Sequence, residues 1–300
     1  MLNVMIPLAG SKYFFAGTTA SDPSCTKTSI LYGDEDFAIM EFDDAGNKLW
    51  EKTYGGDRWD QLHDAVKVST GGYILAGQTE SGPSGIKTSL LNGVDDIWVI
   101  RTDDNGNLLW EKSYGGIDYE SGIKILETPD GGFLIAGLSL SNIPGYNFGI
   151  GDYQLTKIDA TGNQLWSKLY GGTGNDELYG LIASSDGNYF LCGSSTSPIS
   201  GNKTSAPLGG ADIWLVKVSP DGTKLWDKSF GTAADDFRGN LLCLGDNNFL
   251  IIEAAVNTGR IRKIDNNGNQ IWLKICSGNN QDFFEIATED KITGNIYIGG

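Results

Sequence analysis

The chain alternates short apolar runs with clusters of glycine, aspartate and asparagine. Runs rich in Val, Ile, Tyr, Phe and Trp, such as "YILAG" at 73–77 and "IWVIR" at 97–101, each lead into a polar turn cluster. β-Branched and aromatic residues suit a pleated, half-buried surface, and Gly, Asp and Asn supply the bends, so the pattern predicts strands and hairpins. No apolar segment of ten or more residues keeps a 3.6-residue period without a glycine interrupting it, which argues against helices.

The pattern repeats. The phrase "DDIWVIRTDDNGNLLWEKSYGG" at 95–116 returns as "DFAIMEFDDAGNKLWEKTYGG" at 36–56, "DYQLTKIDATGNQLWSKLYGG" at 152–172 and "DIWLVKVSPDGTKLWDKSFG" at 212–231, with a fainter copy at 260–278. Its tryptophans, Trp50, Trp110, Trp166, Trp226 and Trp272, form a structural series 46 to 60 residues apart. A second phrase, typified by "GGYILAGQT" at 71–79, alternates with the first and occurs six times, the last as "GNIYIGG" at 294–300. A period of this size indicates a solenoid, propeller or array. Each unit divides into four runs, at about 62–68, 73–78, 97–102 and 108–114 in the second. The third runs are apolar on consecutive residues, as a sheet buried on both faces requires, so each unit reads as one blade packed between two others.

The expected fold is therefore an all-β propeller of four-stranded antiparallel blades in a single domain over 1–300, with units starting near 1, 60, 120, 176, 236 and 282. Five units are complete and the sixth is partial. Since an open ring exposes an unpaired edge, six or seven blades are expected in the complete protein.

Composition narrows the function classes. The 38 Asp and Glu residues outnumber the 22 Lys and Arg, for a net charge of -16 without a basic cluster. That excludes nucleic acid and anionic membrane surfaces as partners. No run reaches the roughly 18 to 20 apolar residues of a membrane-inserted helix. The four cysteines lack CxxC spacing and a nearby histidine pair, so a zinc site is not expected; they read as single thiols, Cys192 standing where sister units have Ala76 and Ala136. The opening "MLNVMIPLAGSKYFFAG" lacks a basic leader and aligns with residues 178–193. It reads as two strands, leaving any export signal outside this chain.

Four features could carry chemistry. The acidic turns, such as "DDNGN" at 103–107, read as hairpin bends in which Asp bonds its own backbone and Gly takes positive φ; they lack the twelfth-position Glu of an EF-hand loop. Asp60, Glu120, Asp176, Asp236 and Asp282 each lie six residues beyond the aromatic that ends a unit. They are expected to accept backbone N–H groups between blades, or, alternatively, to ring a cation, for which calcium is the cofactor to consider. The long loops between second and third strands, three of them carrying "KTS" at Lys27, Lys87 and Lys203, emerge with the blade-to-blade connections on one face, where binding usually sits. Trp59, in "GGDRWD", is the aromatic outside the repeat pattern and the first ligand-binding candidate, with the three lysines after it. No catalytic residue is nominated: His63 is the only histidine, and no Ser or Cys stands in a nucleophile elbow.

The segment "GNYFLCGSSTSPISGNKTSAPLGGADIWLVKVSPDGTKLWDKSFG" at 187–231 resembles the bacterial SBBP-type β-propeller repeat, and the "WxxKxYGG" endings resemble those of secreted or surface proteins of Gram-negative bacteria that use type IX secretion. The resemblance covers nearly the whole chain and implies a propeller, an extracellular or cell-surface location, and no shared catalytic apparatus. The expected function is a non-enzymatic module binding protein or glycan through the loop-rich face. A glycan-active hydrolase or lyase using carboxylates at the central channel is the alternative, and a structural spacer in a larger surface protein is the third.

Overall fold

The computed structural model describes every residue except 142–148, 256–257, 277–285, 291–292 and 300. The described residues form strands and no helix. Blade 1 comprises β1 (Leu2–Leu8), β2 (Lys12–Thr19), β3 (Asp36–Asp43) and β4 (Lys48–Tyr54), and blade 2 comprises β5 (Asp60–Lys67), β6 (Tyr73–Thr79), β7 (Asp96–Thr102) and β8 (Leu108–Tyr114). Blade 3 has β9 (Glu120–Glu127), β10 (Phe133–Ser139), β11 (Asp152–Ile158) and β12 (Gln164–Tyr170). Blade 4 has β13 (Asp176–Ala183), β14 (Tyr189–Ser195), β15 (Asp212–Val218) and β16 (Lys224–Phe230), and blade 5 has β17 (Asp236–Cys243), β18 (Phe249–Ala255), β19 (Thr258–Ile264) and β20 (Gln270–Cys276). Each is a sheet with its strands in sequence order, and β21 (Ile286–Glu289) pairs with β22 (Ile296–Gly299). The boundaries expected for the second unit lie within two residues of those observed.

The sequence reading takes 1–300 as one domain; by its packing the chain divides into two compact units, Met1–Gly145 with Gln154–Ser167, and Tyr146–Tyr153 with Lys168–Gly300. In the first unit, alternation along each strand decides which neighbour a side chain meets. Phe14, Ala16, Phe37 and Ile39 of blade 1 pack on Tyr73, Leu75, Trp98 and Ile100 of blade 2. The intervening Ile74, Ala76, Ile97 and Val99 face Ile125, Phe133 and Ile135 of blade 3. Every residue of β7 is buried, as consecutive apolar positions imply for a sheet covered on both faces. In the second unit Phe190, Ile213 and Leu215 meet Phe249, Ile251 and Ile264, and Leu250 and Ile261 meet Ile296 and Ile298.

The tryptophan and tyrosine of the fourth strand join blades 1 and 2 to the hairpin of the next blade. The Trp110 ring lies 2.9 Å from where a Cβ would stand on Gly162, whose φ is +80°, and the Tyr114 hydroxyl donates to the Gly162 carbonyl at 2.6 Å. Glycine is required there twice, for positive φ and for room. Trp50 and Tyr54 meet Gly106 in the same way. Asp103, in the turn between β7 and β8, accepts the Asn105 and Asn107 backbone N–H groups at 2.9 and 2.8 Å. The acidic turn is thus a self-bonded hairpin bend.

Candidate functional site

At the junction between blades, a carboxylate fixes the connecting loop. Asp60 Oδ2 accepts the Gly56 N–H at 2.7 Å and the Ser81 hydroxyl at 2.9 Å. The same backbone bond recurs as Gly116 to Glu120 at 2.6 Å, Gly172 to Asp176 at 2.8 Å and Thr232 to Asp236 at 2.6 Å. These four acids are fully buried. One oxygen of each is therefore held by the connecting loop, and among the described residues no group of three or more His, Cys, Asp or Glu side chains is arranged to hold a metal ion. Asp282 lies outside the described residues.

A second carboxylate series, not anticipated from sequence, opens the third strand of blades 1 to 4. Asp36, Asp96 and Asp212 accept backbone N–H groups of Tyr32, Asn92 and Leu208 at 2.7, 2.9 and 2.6 Å through Oδ2. Their Oδ1 atoms are buried with no hydrogen-bond donor. Each packs against the first glycine after the blade: a Cβ at Gly55, Gly115 or Gly231 would stand 1.8, 2.0 or 2.5 Å from the respective Oδ1. The double glycine of the repeat is thus the seat of a carboxylate, not a nucleotide loop. Burial, then repulsion from Asp60, raises Asp36 to about 6 against the Tyr32 bond.

The loop lysines are placed differently from expectation. Lys87 and Lys203 are only 2% exposed, and Lys27 is half-buried. Each donates to a carbonyl two residues on, at Ser29, Ser89 and Ser205, at 2.5, 2.7 and 2.8 Å. The adjoining Thr and Ser amides bond the acid that follows the repeated tryptophan: Thr88 and Ser89 reach Glu111 at 2.8 Å, and Ser205 reaches Asp227 at 2.8 Å. "KTS" therefore pins its loop to the fourth strand. The ammonium groups of Lys87 and Lys203 face inward instead of toward a partner, because the loop needs donors for its own buried carbonyls.

Trp59 is 48% exposed. Its place just before Asp60 is filled in the next blade by Tyr119, so it has an aromatic counterpart the sequence reading did not pair with it. Both residues bridge the preceding loop, Trp59 to Glu35 and Tyr119 to Asp95. The bridged acids Glu35 and Asp95 are thus counterparts as well, and further polar side chains of the first unit bond nearby. Gln61 donates to Glu35 at 2.9 Å. Gln78 receives the Tyr119 hydroxyl at 2.8 Å and lies 3.3 Å from His63 Nε2. Burial lowers the His63 pKa. Asp95, 3% exposed, is raised to about 6 by burial and then by Glu80, Asp96 and Glu120. The loop end of the first unit thus presents an exposed indole and hydrogen-bonded carboxamide, carboxylate, phenol and imidazole groups, side-chain types able to stack on and hydrogen-bond a polar ligand. Glu35, Gln61, Gln78, Asp95 and Tyr119 were missed; the available signal was at Gln61 and Gln78, which depart from Ser121 and Leu138 of the next unit.

No protein-family model matches the chain, so its likeness to the SBBP-type repeat rests on the motifs alone. The chain is 26% identical over 215 residues to the regulatory protein FlaEY of Caulobacter vibrioides, an alignment covering 67% of this chain and 22% of that protein. It thus spans about a fifth of the length of this curated relative. Among solved structures, it is similar to Kuenenia stuttgartiensis hydrazine synthase, with a TM-score of 0.58 and 11% identity over 97% of this chain and 70% of that one. It is also similar to a protein of unknown function from Dyadobacter fermentans, at 0.54 and 14% over 93% and 83%. The WD40 domain of Neurospora crassa Pan2 gives 0.52 and 12% over 98% and 83%. Likeness at these identities establishes architecture and not activity: the chain is an all-β propeller of four-stranded blades.

Proposed function

We propose that the chain is a non-enzymatic interaction module that recognises a partner protein through the loop end of its blades, around Trp59. The observation carrying this reading is the exposed Trp59, whose backbone bridges Glu35, together with the hydrogen-bonded Glu35–Gln61 and Gln78–Tyr119 pairs in the same unit. Aromatic anchors with adaptable polar neighbours are what interfaces use most. The likeness to a regulatory protein and to a WD40 domain supports it. A glycan is the second reading, supported by the bonded Glu35–Gln61 pair and by the exposed Trp59 that bridges Glu35 through its backbone. An extracellular or cell-surface setting belongs to the same proposal, on the strength of the repeat resemblance and the acidic composition.

The test is a pull-down and a glycan array run in parallel on the chain and on Trp59→Ala. Loss of a specific protein with Trp59→Ala is expected; loss of a glycan signal instead moves the assignment to the second reading. Binding unchanged by Trp59→Ala would refute the Trp59 surface, and no binding in either assay would leave the module as a spacer.

A further inference from the structure

We infer that the loop end of the first unit takes a basic, apolar segment of a partner polypeptide, its apolar side chains on a row running from Tyr32 to Leu140 and its cations on the acids along that row. This partner presupposes the recognition surface proposed above and gives it a chemistry. Backbone bonds between blades build the row. The Asp34 N–H donates to the Arg58 carbonyl at 3.2 Å and the Glu80 N–H to the Trp59 carbonyl at 2.9 Å, so the loop of blade 1, the connection that follows and the loop of blade 2 adjoin. One blade on, the Val94 N–H donates to the Asp118 carbonyl at 2.8 Å and the Leu140 N–H to the Tyr119 carbonyl at 2.9 Å. The loop of blade 2 thus makes the two junctions one surface. Tyr32 and Trp59 are exposed at the first junction, and Val94, Ile117 and Leu140 at the second. Single exposed apolar residues are normal, but a set on adjoining segments marks a contact surface.

The charge on this surface is one-sided. In the loops and connections 18–35, 55–59, 80–95 and 115–119, the acids Asp22, Asp34, Glu35, Asp57, Glu80 and Asp118 are half-buried or exposed. Among the described residues none of them forms an ion pair, whereas at the turn end Asp104 pairs with Lys67 and Asp130 with Lys157. The same segments hold Lys27, Arg58 and Lys87 as their cations. Lys27 and Lys87 turn their ammonium groups onto the Ser29 and Ser89 carbonyls, which leaves Arg58 at the surface. The excess reaches inward, where burial and then Glu80, Asp96 and Glu120 hold Asp95 at about 6.

Charge complementarity selects the occupant. A second copy of this chain carries a formal charge of -16 and is repelled. A neutral glycan stacks on Trp59 but leaves the acids without a counter-charge and Val94, Ile117 and Leu140 wet. A bare metal ion meets no group of three or more ligating side chains among the described residues. A polypeptide with Lys or Arg interleaved among apolar residues meets both demands, since it removes the apolar row from water and is steered in by the field of the acids.

The probes are fluorescently labelled peptides of equal length, alternating Lys with Leu, Glu with Leu, or Lys with Ser, titrated with the chain while anisotropy is followed. The Lys/Leu peptide is expected to bind saturably and about tenfold or more tighter than either of the others. It should weaken by about tenfold between about 0.1 and 1 M salt, as the screening length falls from about 10 to 3 Å. Trp59→Ala and Ile117→Ser should each weaken it by about tenfold, as loss of an anchor does, and Asp34→Asn combined with Asp118→Asn should flatten the salt dependence. Leu109→Ser, at an exposed position of the turn end, should change nothing. Equal binding of the Glu/Leu or Lys/Ser peptide, no binding of the Lys/Leu peptide at millimolar concentration, or an equal loss with Leu109→Ser would each overturn the basic partner. So would a pulled-down protein that is lost with Trp59→Ala yet held equally at both salt concentrations and by the Asp34→Asn, Asp118→Asn variant, a result that leaves the loop end as the recognition surface.

Discussion

Replacing Gly115 by alanine tests the claim that the double glycine is a carboxylate seat. Its φ is not among the positive ones, so the backbone accepts alanine and any cost must come from contact. The new Cβ would stand 2.0 Å from Asp96 Oδ1 and 2.8 Å from Glu120 Oε2. Neither acid can retreat freely, since Asp96 holds the Asn92 N–H at 2.9 Å and Glu120 the Gly116 N–H at 2.6 Å. Overpacking costs about 1–3 kcal/mol, and a hydrogen bond to a charged group lost in relief adds about 1.5–3 kcal/mol. The expected destabilisation is therefore about 3–5 kcal/mol, a large part of the roughly 5–15 kcal/mol available to a domain. Urea unfolding followed by tryptophan fluorescence reads it as a fall in midpoint of about 1 M or more. Gly82→Ala is the control: nothing lies within 4 Å of its Cβ position, and lower unfolded-state entropy should make it neutral or stabilising by up to about 1 kcal/mol. Equal, small effects at both glycines would refute the reasoning.

Tyr114→Phe removes the donor to the Gly162 carbonyl at 2.6 Å, and a buried acceptor left unpaired is expected to cost about 1–3 kcal/mol in urea unfolding. Trp98→Ala, emptying a site that is 0% exposed, should cost about 3–5 kcal/mol. Asp36 and Asp95 are raised to about 6, by burial first and neighbouring acids next, so their protonation favours the folded state. This stability is complete below the unfolded value of about 3.9 and lost as pH rises through 6. The urea midpoint should therefore be higher at pH 5 than at pH 7.5, and Asp36→Asn should shrink the corresponding stability difference by about 1 kcal/mol, roughly the one pH unit between 5 and the folded value. Glu51, where Lys48 and the loop amides outweigh burial and hold the carboxyl at about 2, works in the opposite sense only at more acid pH, below the unfolded value of about 4.3.

What could be read from the chain was whatever repeats with a local cause. Asp103 bonds to Asn105 and Asn107 two and four residues away, and Asp60 to Gly56 four residues away; such contacts follow from turn chemistry. The seat of Asp96 against Gly115 joins positions nineteen apart, one opening β7 and the other just past β8, and no local rule brings a carboxylate to that glycine. For Lys87 the sequence misleads for a physical reason. A lysine in a long polar loop is ordinarily solvated, but this loop folds over its own strand ends and recruits the ammonium for the Ser89 carbonyl at 2.7 Å. The candidate site was the least legible part, because Glu35, Gln61, Gln78 and Tyr119 meet only where strands of neighbouring blades stand side by side. The contrast between Ala38 and Trp98 lies between these extremes. Both residues stand at matching positions, yet the difference acquires chemical meaning only once Glu111 is seen to hold the Trp98 indole and Glu51 to line a separate cavity beside Ala38. Repetition identifies the scaffold, and each exception becomes informative when the partner it lacks can be named.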